Sequence, residues 1–172
     1  MLELENSFSL YDRIRQIERY SIREFMEGNK AFLRGRVLDY GAGESPYRAL
    51  VEGEYIAYQH TPESHSTQEL AELEASVDCV MCNQVVQYVP KPLIMLSRFN
   101  ALLKKKNGYL VMTFPTNWDE AEVEDLHRFT SSGMRKLLHA AGFSVLKCVR
   151  RAEVRIDSFR FPLGYGIVAV KS

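Results

Sequence analysis

The run Arg36-Val37-Leu38-Asp39-Tyr40 passes without a spacer into Gly41-Ala42-Gly43. A short buried strand that ends in a glycine turn constrains the rest of this chain more than any other segment does. A Cβ would block the positive φ that a tight turn demands and would hold a ligand away from the main chain, so glycines at 41 and 43 suit a turn that a ligand approaches. Pro46 stands where a following helix would begin, with Tyr47 to Val51 continuing it. The N–H groups at that helix start would face an anionic ligand group. The turn alone is weak evidence for a ligand, because α/β folds also use such turns as plain connections.

The flanking segments set this strand in a pattern. Phe8, Tyr11, Ile14, Ile17, Ser21 or Ile22, and Phe25 follow helical spacing with charged residues between them, and Gly28-Asn29 ends that segment. Strands are expected at Tyr55 to Tyr58 and at Val77 to Val86, the second apolar at nearly every position, as a strand covered on both faces is. Pro90 and Pro92 introduce a helix through about Leu103, and Asn107-Gly108 turns the chain into a strand from Tyr109 to Phe114 that Pro115 stops. Thr130-Ser131-Ser132 offers N-cap candidates for a helix through Met134, Leu137, Leu138 and Ala141, closed by Gly142. Strands at Phe143 to Val149 and Gly166 to Val170 complete the pattern. Alternating strands and helices specify an α/β fold with a largely parallel sheet, and the last two strands, with no helix between them, are expected to pair antiparallel.

The chain has 172 residues, 46% hydrophobic and 26% charged, which fits a single domain over 1–172 with a helical cap over 1–30 and a core over 36–172. No unbroken apolar run reaches the roughly 18 residues of a membrane span. The acidic start, Met1 to Phe8, lacks the basic region and apolar stretch of a signal peptide. Its 22 basic residues balance 22 acidic ones, so no net field draws the chain to a nucleic-acid backbone or an anionic membrane. Three cysteines are too few for a disulfide framework, and a reducing, cytoplasmic compartment is expected.

Three collinear segments carry a resemblance. Val37-Leu38-Asp39-Tyr40-Gly41-Ala42-Gly43, then Asp78-Cys79-Val80-Met81-Cys82-Asn83-Gln84-Val85-Val86-Gln87-Tyr88, then Leu102-Leu103-Lys104 with Asn107-Gly108-Tyr109-Leu110-Val111, resemble successive motifs of class I S-adenosylmethionine-dependent methyltransferases. His127-Arg128-Phe129-Thr130 and Ala141-Gly142-Phe143 resemble a later stretch of the small-molecule group often called type 11. The resemblance implies a Rossmann-like three-layer sandwich, a mostly parallel sheet with an antiparallel C-terminal strand, and S-adenosylmethionine as cofactor. It implies that Gly41 and Gly43 pass close to the methionine part and that Asp39 holds its amino group. It places Gln59 at the ribose position, Leu70 on the adenine wall and Asn83 at the end of the fourth family strand, with an unidentified small-molecule acceptor.

The same alignment exposes departures. Gln59 stands where the family places an Asp or Glu that accepts both ribose hydroxyls, and Ser66-Thr67-Gln68 stands where a second acid contacts adenine. A neutral amide loses the charge-assisted strength of a carboxylate, so weaker cofactor binding is expected. Between Gln59 and Asp78 the chain has room for a helix from Thr67 to Ala75 but not for the family's third strand, which is expected to be lost or vestigial. Tyr88 and His127, and with less support Asp125, are candidate general bases; Tyr11 is placed over the pocket, and Trp118 and Phe114 form a candidate acceptor wall. A noncatalytic methyltransferase-like binding protein is the alternative that the missing carboxylates motivate.

Other chemistries fit less well. Cys79 and Cys82 have Cys-x-x-Cys spacing, but strand positions three apart point to opposite faces, so they read as buried apolar residues and no metal is expected. His60 and His65 have no second ligand cluster. Lys104-Lys105-Lys106 complements the negative end of a helix. A nicotinamide enzyme would want a third glycine where Pro46 stands. Thr113-Phe114-Pro115-Thr116 lacks the Asn/Asp-Pro-Pro-aromatic signature of nucleic-acid amino-methylating enzymes, so a nucleic-acid partner is not expected.

Overall fold

The computed structural model describes residues 10–59, 70–119, 124–156 and 158–172. Helix α1 spans Leu10–Glu27, β1 Arg34–Tyr40, β2 Glu52–Tyr58 and β3 Cys79–Asn83. They are followed by α2 (Pro92–Leu102), β4 (Tyr109–Pro115), α3 (Ser131–Ala140), β5 (Phe143–Ile156) and β6 (Phe159–Lys171). The six strands form one sheet in the order β2-β1-β3-β4-β6-β5. The first four are mutually parallel, and β6 runs antiparallel to both β4 and β5. This is the α/β fold with an antiparallel C-terminal pair that the alternating pattern specifies, in the Rossmann-like arrangement that the resemblance implies.

Strand parity divides the core into two layers. Val37, Cys79, Met81, Val111 and Val168 face one side and pack with Ile22, Phe25 and Met26 of α1. Leu38, Val80, Cys82, Leu110, Met112 and Ile167 face the other side and pack with Leu96 and Phe99 of α2 and with Met134 and Leu138 of α3. Cys79 and Cys82 therefore lie in different layers, both fully buried, as their odd spacing on a strand requires. The ends of the helices follow local chemistry. Asn29 Nδ2 donates to the orphan carbonyl of Phe25 at 2.6 Å, and Thr130 Oγ1 accepts the Gly133 N–H at 3.0 Å.

Four expectations are corrected. The helix after Pro46 is only a 3₁₀ turn at Arg48–Leu50, because β2 begins at Glu52 and leaves too few residues for an α-helix. The strand expected over Val77 to Val86 is Cys79–Asn83, ended where Gln84 takes a positive φ of 55°. The helix expected over Thr67 to Ala75 is helical in the described part only at residues 70–71; Ala75 turns at φ 51°, and the Ser76 and Val77 N–H groups then bond the Leu102 carbonyl. The C-terminal strands extend well past Val149 and start well before Gly166, forming a long ribbon. Between Tyr58 and Cys79 no strand is present among the described residues, and β2 is an edge of the sheet among them. His60, His65 and the Ser66-Thr67-Gln68 segment lie outside the described residues.

Candidate functional site

The chain runs from β1 to β2 on one side and returns through β3 on the other, so strand order reverses at β1. The crevice beyond the carboxyl ends of β1 and β3 is where an open α/β sheet binds ligands. The glycine turn occupies that place. Gly41 has φ 79° and Gly43 φ 52°, and the N–H groups of Gly41 and Ala42 both donate to the Tyr58 carbonyl, at 2.8 and 3.1 Å. A Cβ at Gly41 would collide with Val85, so that glycine lets the turn pack against the segment after β3. Among the described residues nothing lies within 4 Å of where a Cβ at Gly43 would stand, which leaves that side of the turn open to a ligand.

Four side chains stand on the strands and strand ends around the turn. Asp39 is only 2% exposed and receives the Tyr55 hydroxyl at 2.6 Å. Burial pushes its carboxyl up to about 6, against the opposing pull of that hydrogen bond. Tyr55 is pushed up to about 12, by burial and then by the bond to Asp39, so it remains a donor. Asn83 accepts a hydrogen bond from Thr113 Oγ1 at 3.0 Å, while its Nδ2 is buried without a partner among the described residues. Gln59 accepts the Gly43 N–H through Oε1 at 3.1 Å and donates from Nε2 to the Gly43 carbonyl at 2.8 Å. Because no α-helix follows the turn, the expected helix start facing an anionic group is absent among the described residues, and Gln59 and Tyr58 hold the turn instead. Leu70 is 3% exposed and belongs to the core layer of α2 and α3.

Beside the turn, a cavity of about 600 Å³ opens between α1 and the ends of β3 and β4. Its wall includes Tyr11 and Glu18 of α1, Gln84, Gln87 and Tyr88 after β3, and Trp118 after β4. The Tyr11 and Trp118 rings pair with centroids 6.3 Å apart. Phe114 is fully buried on the opposite side of the sheet, against Phe129 and Tyr165, and does not line the cavity: strand parity turns it away from α1. Nor does His127, whose Nε2 lies 3.1 Å from the Val89 carbonyl and whose ring packs on Phe129. Asp125 lines the cavity but is gripped by both terminal guanidinium nitrogens of Arg128. No group of three or more metal-ligating side chains comes together among the described residues.

Glu18 and Arg151 were not singled out from the sequence. Arg151 is 3% exposed; its guanidinium donates to the Tyr165 carbonyl at 3.1 Å, to Ser21 Oγ at 3.1 Å and to the Phe114 carbonyl at 3.4 Å, and pins α1 to the sheet. Glu18 Oε1 lies 4.0 Å from Arg151 Nη2 without a hydrogen bond. Burial raises the Glu18 carboxyl above its ordinary value, outweighing the attraction of Arg151, Arg15 and Arg19. The available signal was an acid at 18 sharing the helical stripe of Ile22 and Phe25, where an apolar residue is the norm.

Comparison with known proteins agrees with this geometry. Residues 11–147 match the family described as methyltransferase domain. The fold matches an S-adenosylmethionine-dependent methyltransferase from Archaeoglobus fulgidus with a TM-score of 0.65 and 14% identity, over 95% of this chain and 100% of that one. A second, from Aquifex aeolicus, matches with a TM-score of 0.63 and 17% identity over 93% and 97% of the two chains. Magnesium protoporphyrin IX methyltransferase from Synechocystis, solved with bound S-adenosylhomocysteine, matches with a TM-score of 0.59 and 14% identity over 98% and 90%. No curated protein matches the sequence. The glycine turn at the switch point, the strand order and the family match agree: the chain belongs to the methyltransferase domain family and has the fold of the class I S-adenosylmethionine-dependent enzymes.

Proposed function

We propose that the protein transfers a methyl group from S-adenosylmethionine to a small-molecule acceptor held in the cavity between α1 and the ends of β3 and β4. One juxtaposition carries this reading: the glycine turn with its buried carboxylate and the cavity meet at one strand end, where Val85 packs on Gly41 and Gln84 lines the cavity. The residues present fit the cofactor. Asp39, buried and bonded at Oδ2 by the Tyr55 hydroxyl, offers a carboxylate to the methionine ammonium, directly or through water. Asn83 Nδ2 offers a donor, and open space over Gly43 admits the ligand to the main chain. Gln59 is the side chain closest to a ribose-binding role, and it must share or release its bonds to Gly43 to act there.

S-adenosylmethionine supplies an activated methyl on a sulfonium. The protein's task is then alignment of the acceptor, and orientation of this kind can supply on the order of 7 to 11 kcal/mol at its upper limit. Tyr88, Trp118 and Tyr11 line the space for the acceptor, and α1 covers it. The family match supports the enzyme over a noncatalytic relative. A balanced net charge supports a small molecule over a nucleic acid, and no helix among the described residues is long and apolar enough to cross a membrane. Three unpaired cysteines support a reducing, cytoplasmic compartment.

Isothermal titration with S-adenosylmethionine and S-adenosylhomocysteine tests the site. Saturable binding that Gly41→Arg abolishes is the expected result. Absence of binding up to millimolar concentrations would sink the proposal.

A further inference from the structure

The stripe of α1 that packs on the sheet changes character partway along the helix. Its C-terminal part is apolar, with Ile22, Phe25 and Met26 buried against the strands. One to three turns earlier the same stripe carries Arg19, Arg15 and Tyr11, all three exposed and all three on the wall of the cavity of about 600 Å³. A helix that covers a sheet keeps that stripe apolar, so two guanidinium groups on it are a departure, and the departure coincides with the cavity. Residues four apart on a helix have Cβ atoms about 5 to 6 Å from one another, so the two like charges repel. Little on the wall offsets them. Among the described residues neither arginine forms an ion pair, and Arg15 lies instead over the Tyr11 ring, 5.6 Å from its centroid. Glu18 lies within electrostatic reach of Arg151 as well as of Arg15 and Arg19, one carboxyl against three guanidinium groups, and its Oε1 is enclosed. Asp125 is held by both terminal nitrogens of Arg128, and Asp119 is not free either.

We infer that the methyl acceptor is an anion whose carboxylate or phosphate group is held by Arg15 and Arg19. Its apolar or aromatic body lies against Tyr11 and Trp118, whose ring centroids are 6.3 Å apart. This acceptor class rests on the proposed methyl transfer. A guanidinium presents its donors as a planar fork that matches two oxygens of a carboxylate or phosphate, and forks on adjacent turns of one helix can share such a group. An anion there relieves the repulsion between the two arginines. A cation would add to it, and a neutral acceptor would leave it in place. Arg15 is the anchor. Arg19 lies within electrostatic reach of Tyr47, just past the glycine turn, whereas Arg15 stands one turn farther out on α1, on the Tyr11 ring. Arg15 therefore belongs to the acceptor end of the cavity rather than to the methionine end of the cofactor.

The test titrates phenylacetate and phenyl phosphate, against 2-phenylethanol and 2-phenylethylamine, into the full-length protein with and without S-adenosylhomocysteine. Trp118 is the single tryptophan of the chain, so its fluorescence reports on this cavity. At least one of the two anions should shift Trp118 emission saturably and bind at least tenfold tighter than both the alcohol and the amine, and the preferred anion identifies the head group. Arg15→Met should weaken that anion at least tenfold, and Arg19→Met at least threefold, while Arg15→Met keeps S-adenosylhomocysteine affinity within twofold of wild type. Arg15 is exposed on its helix, and the comparison of probes on the wild-type protein stands without any variant. Absence of anion binding, an alcohol or amine that binds as tightly, or anion affinity unmoved by Arg15→Met overturns the inference. So does loss of S-adenosylhomocysteine affinity in step with the anion, which would make Arg15 a ligand of the cofactor's own carboxylate. If S-adenosylhomocysteine does not bind the wild type, the proposed methyl transfer fails, and the titrations without it still decide which charge the cavity takes.

Discussion

Asp39→Asn should make the protein more stable at neutral pH and less able to bind its cofactor. The carboxyl is held at about 6 against an ordinary 3.8, which corresponds to roughly 3 kcal/mol against the ionised form in the folded state. Asparagine keeps an oxygen for the Tyr55 hydroxyl, now bonded at 2.6 Å, and removes the buried charge. Its new N–H groups recover less than they lose from water, at about 1 kcal/mol, leaving a net gain of about 2 kcal/mol at pH 7.5. For a chain of this length that is about 4 to 8 °C in Tm. The sign with pH follows from linkage. Between pH 4 and 6 the folded protein binds more protons at Asp39 than the unfolded chain, so the wild type loses stability as pH rises through that window, and the advantage of Asn shrinks towards zero near pH 4. Urea unfolding of both proteins at pH 4.5 and 7.5 measures the difference. S-adenosylhomocysteine should bind the variant tenfold or more weakly, since a charge-assisted bond of about 1.5 to 3 kcal/mol is lost. Wild-type binding near pH 5.5 should release protons, seen as a buffer-dependent enthalpy. A variant no more stable than wild type, or a stability difference that does not change with pH, refutes the assignment of a strained carboxylate at 39.

Gly41→Ala should destabilise by about 2 to 4 kcal/mol, because a Cβ at φ 79° is strained and overpacks against Val85. Val85→Ala should recover part of that loss, and strictly additive effects in the double-mutant cycle would rule out the contact. Gln59→Asp removes the donor to the Gly43 carbonyl, so the free protein should lose about 1 kcal/mol in urea unfolding. It should nevertheless bind S-adenosylhomocysteine tighter by about 1 kcal/mol or more if residue 59 meets the ribose; unchanged affinity in titration would place the ribose elsewhere. Arg151→Met should cost about 3 to 5 kcal/mol by leaving Glu18 buried without its cation, and a loss under 1 kcal/mol in urea would contradict the docking of α1 through this residue. Native thiol labelling should reach at most Cys148, since Cys79 and Cys82 are fully enclosed and burial holds both thiols far above their ordinary value. Fast labelling of all three would contradict that core.

The buried half of the fold is legible in the sequence and the exposed half is not. Val37-Leu38 and Cys79 to Cys82 are apolar because both faces are covered, and their parity alone assigns Cys79 and Cys82 to opposite layers. The first half of β2, Glu52-Gly53-Glu54, is exposed and polar at the edge of the sheet and carries no strand pattern. The helix expected after Pro46 fails for the same reason, since an unreadable strand start hides how little chain remains for a helix. Likewise Arg150, Arg155 and Arg160 lie in the C-terminal ribbon, where charged side chains obscure the alternation. At the site, Asp39, Gly41 and Gly43 stand out because a motif places them next to one another. Glu18 and Arg151 meet across 133 residues, and only a charged residue on an otherwise apolar helix stripe hints at the pair.

The glutamine at 59, where the resemblance leads one to expect a carboxylate, and the 3₁₀ turn where a helix is expected belong together. A helix beginning near Pro46 would fix the end of the turn through its own backbone, with its first N–H groups turned to a ligand, and would not need the side chain at 59 to hold Gly43. Here the turn continues into irregular chain, with Ser45 at φ 56° and only one 3₁₀ turn beyond it. The Gly43 N–H and carbonyl take the Gln59 side chain instead, one bond in each direction. A carboxylate could accept the first bond but could not donate the second, so only an amide serves both. Glutamine at 59 is therefore matched to the shortened connection, which its amide holds in both directions. The same logic limits what restoring the acid can do: it would add charge towards the ribose while loosening the Gly43 main chain that the cofactor must lie against, so the gain in affinity and the loss in stability should appear in the same variant.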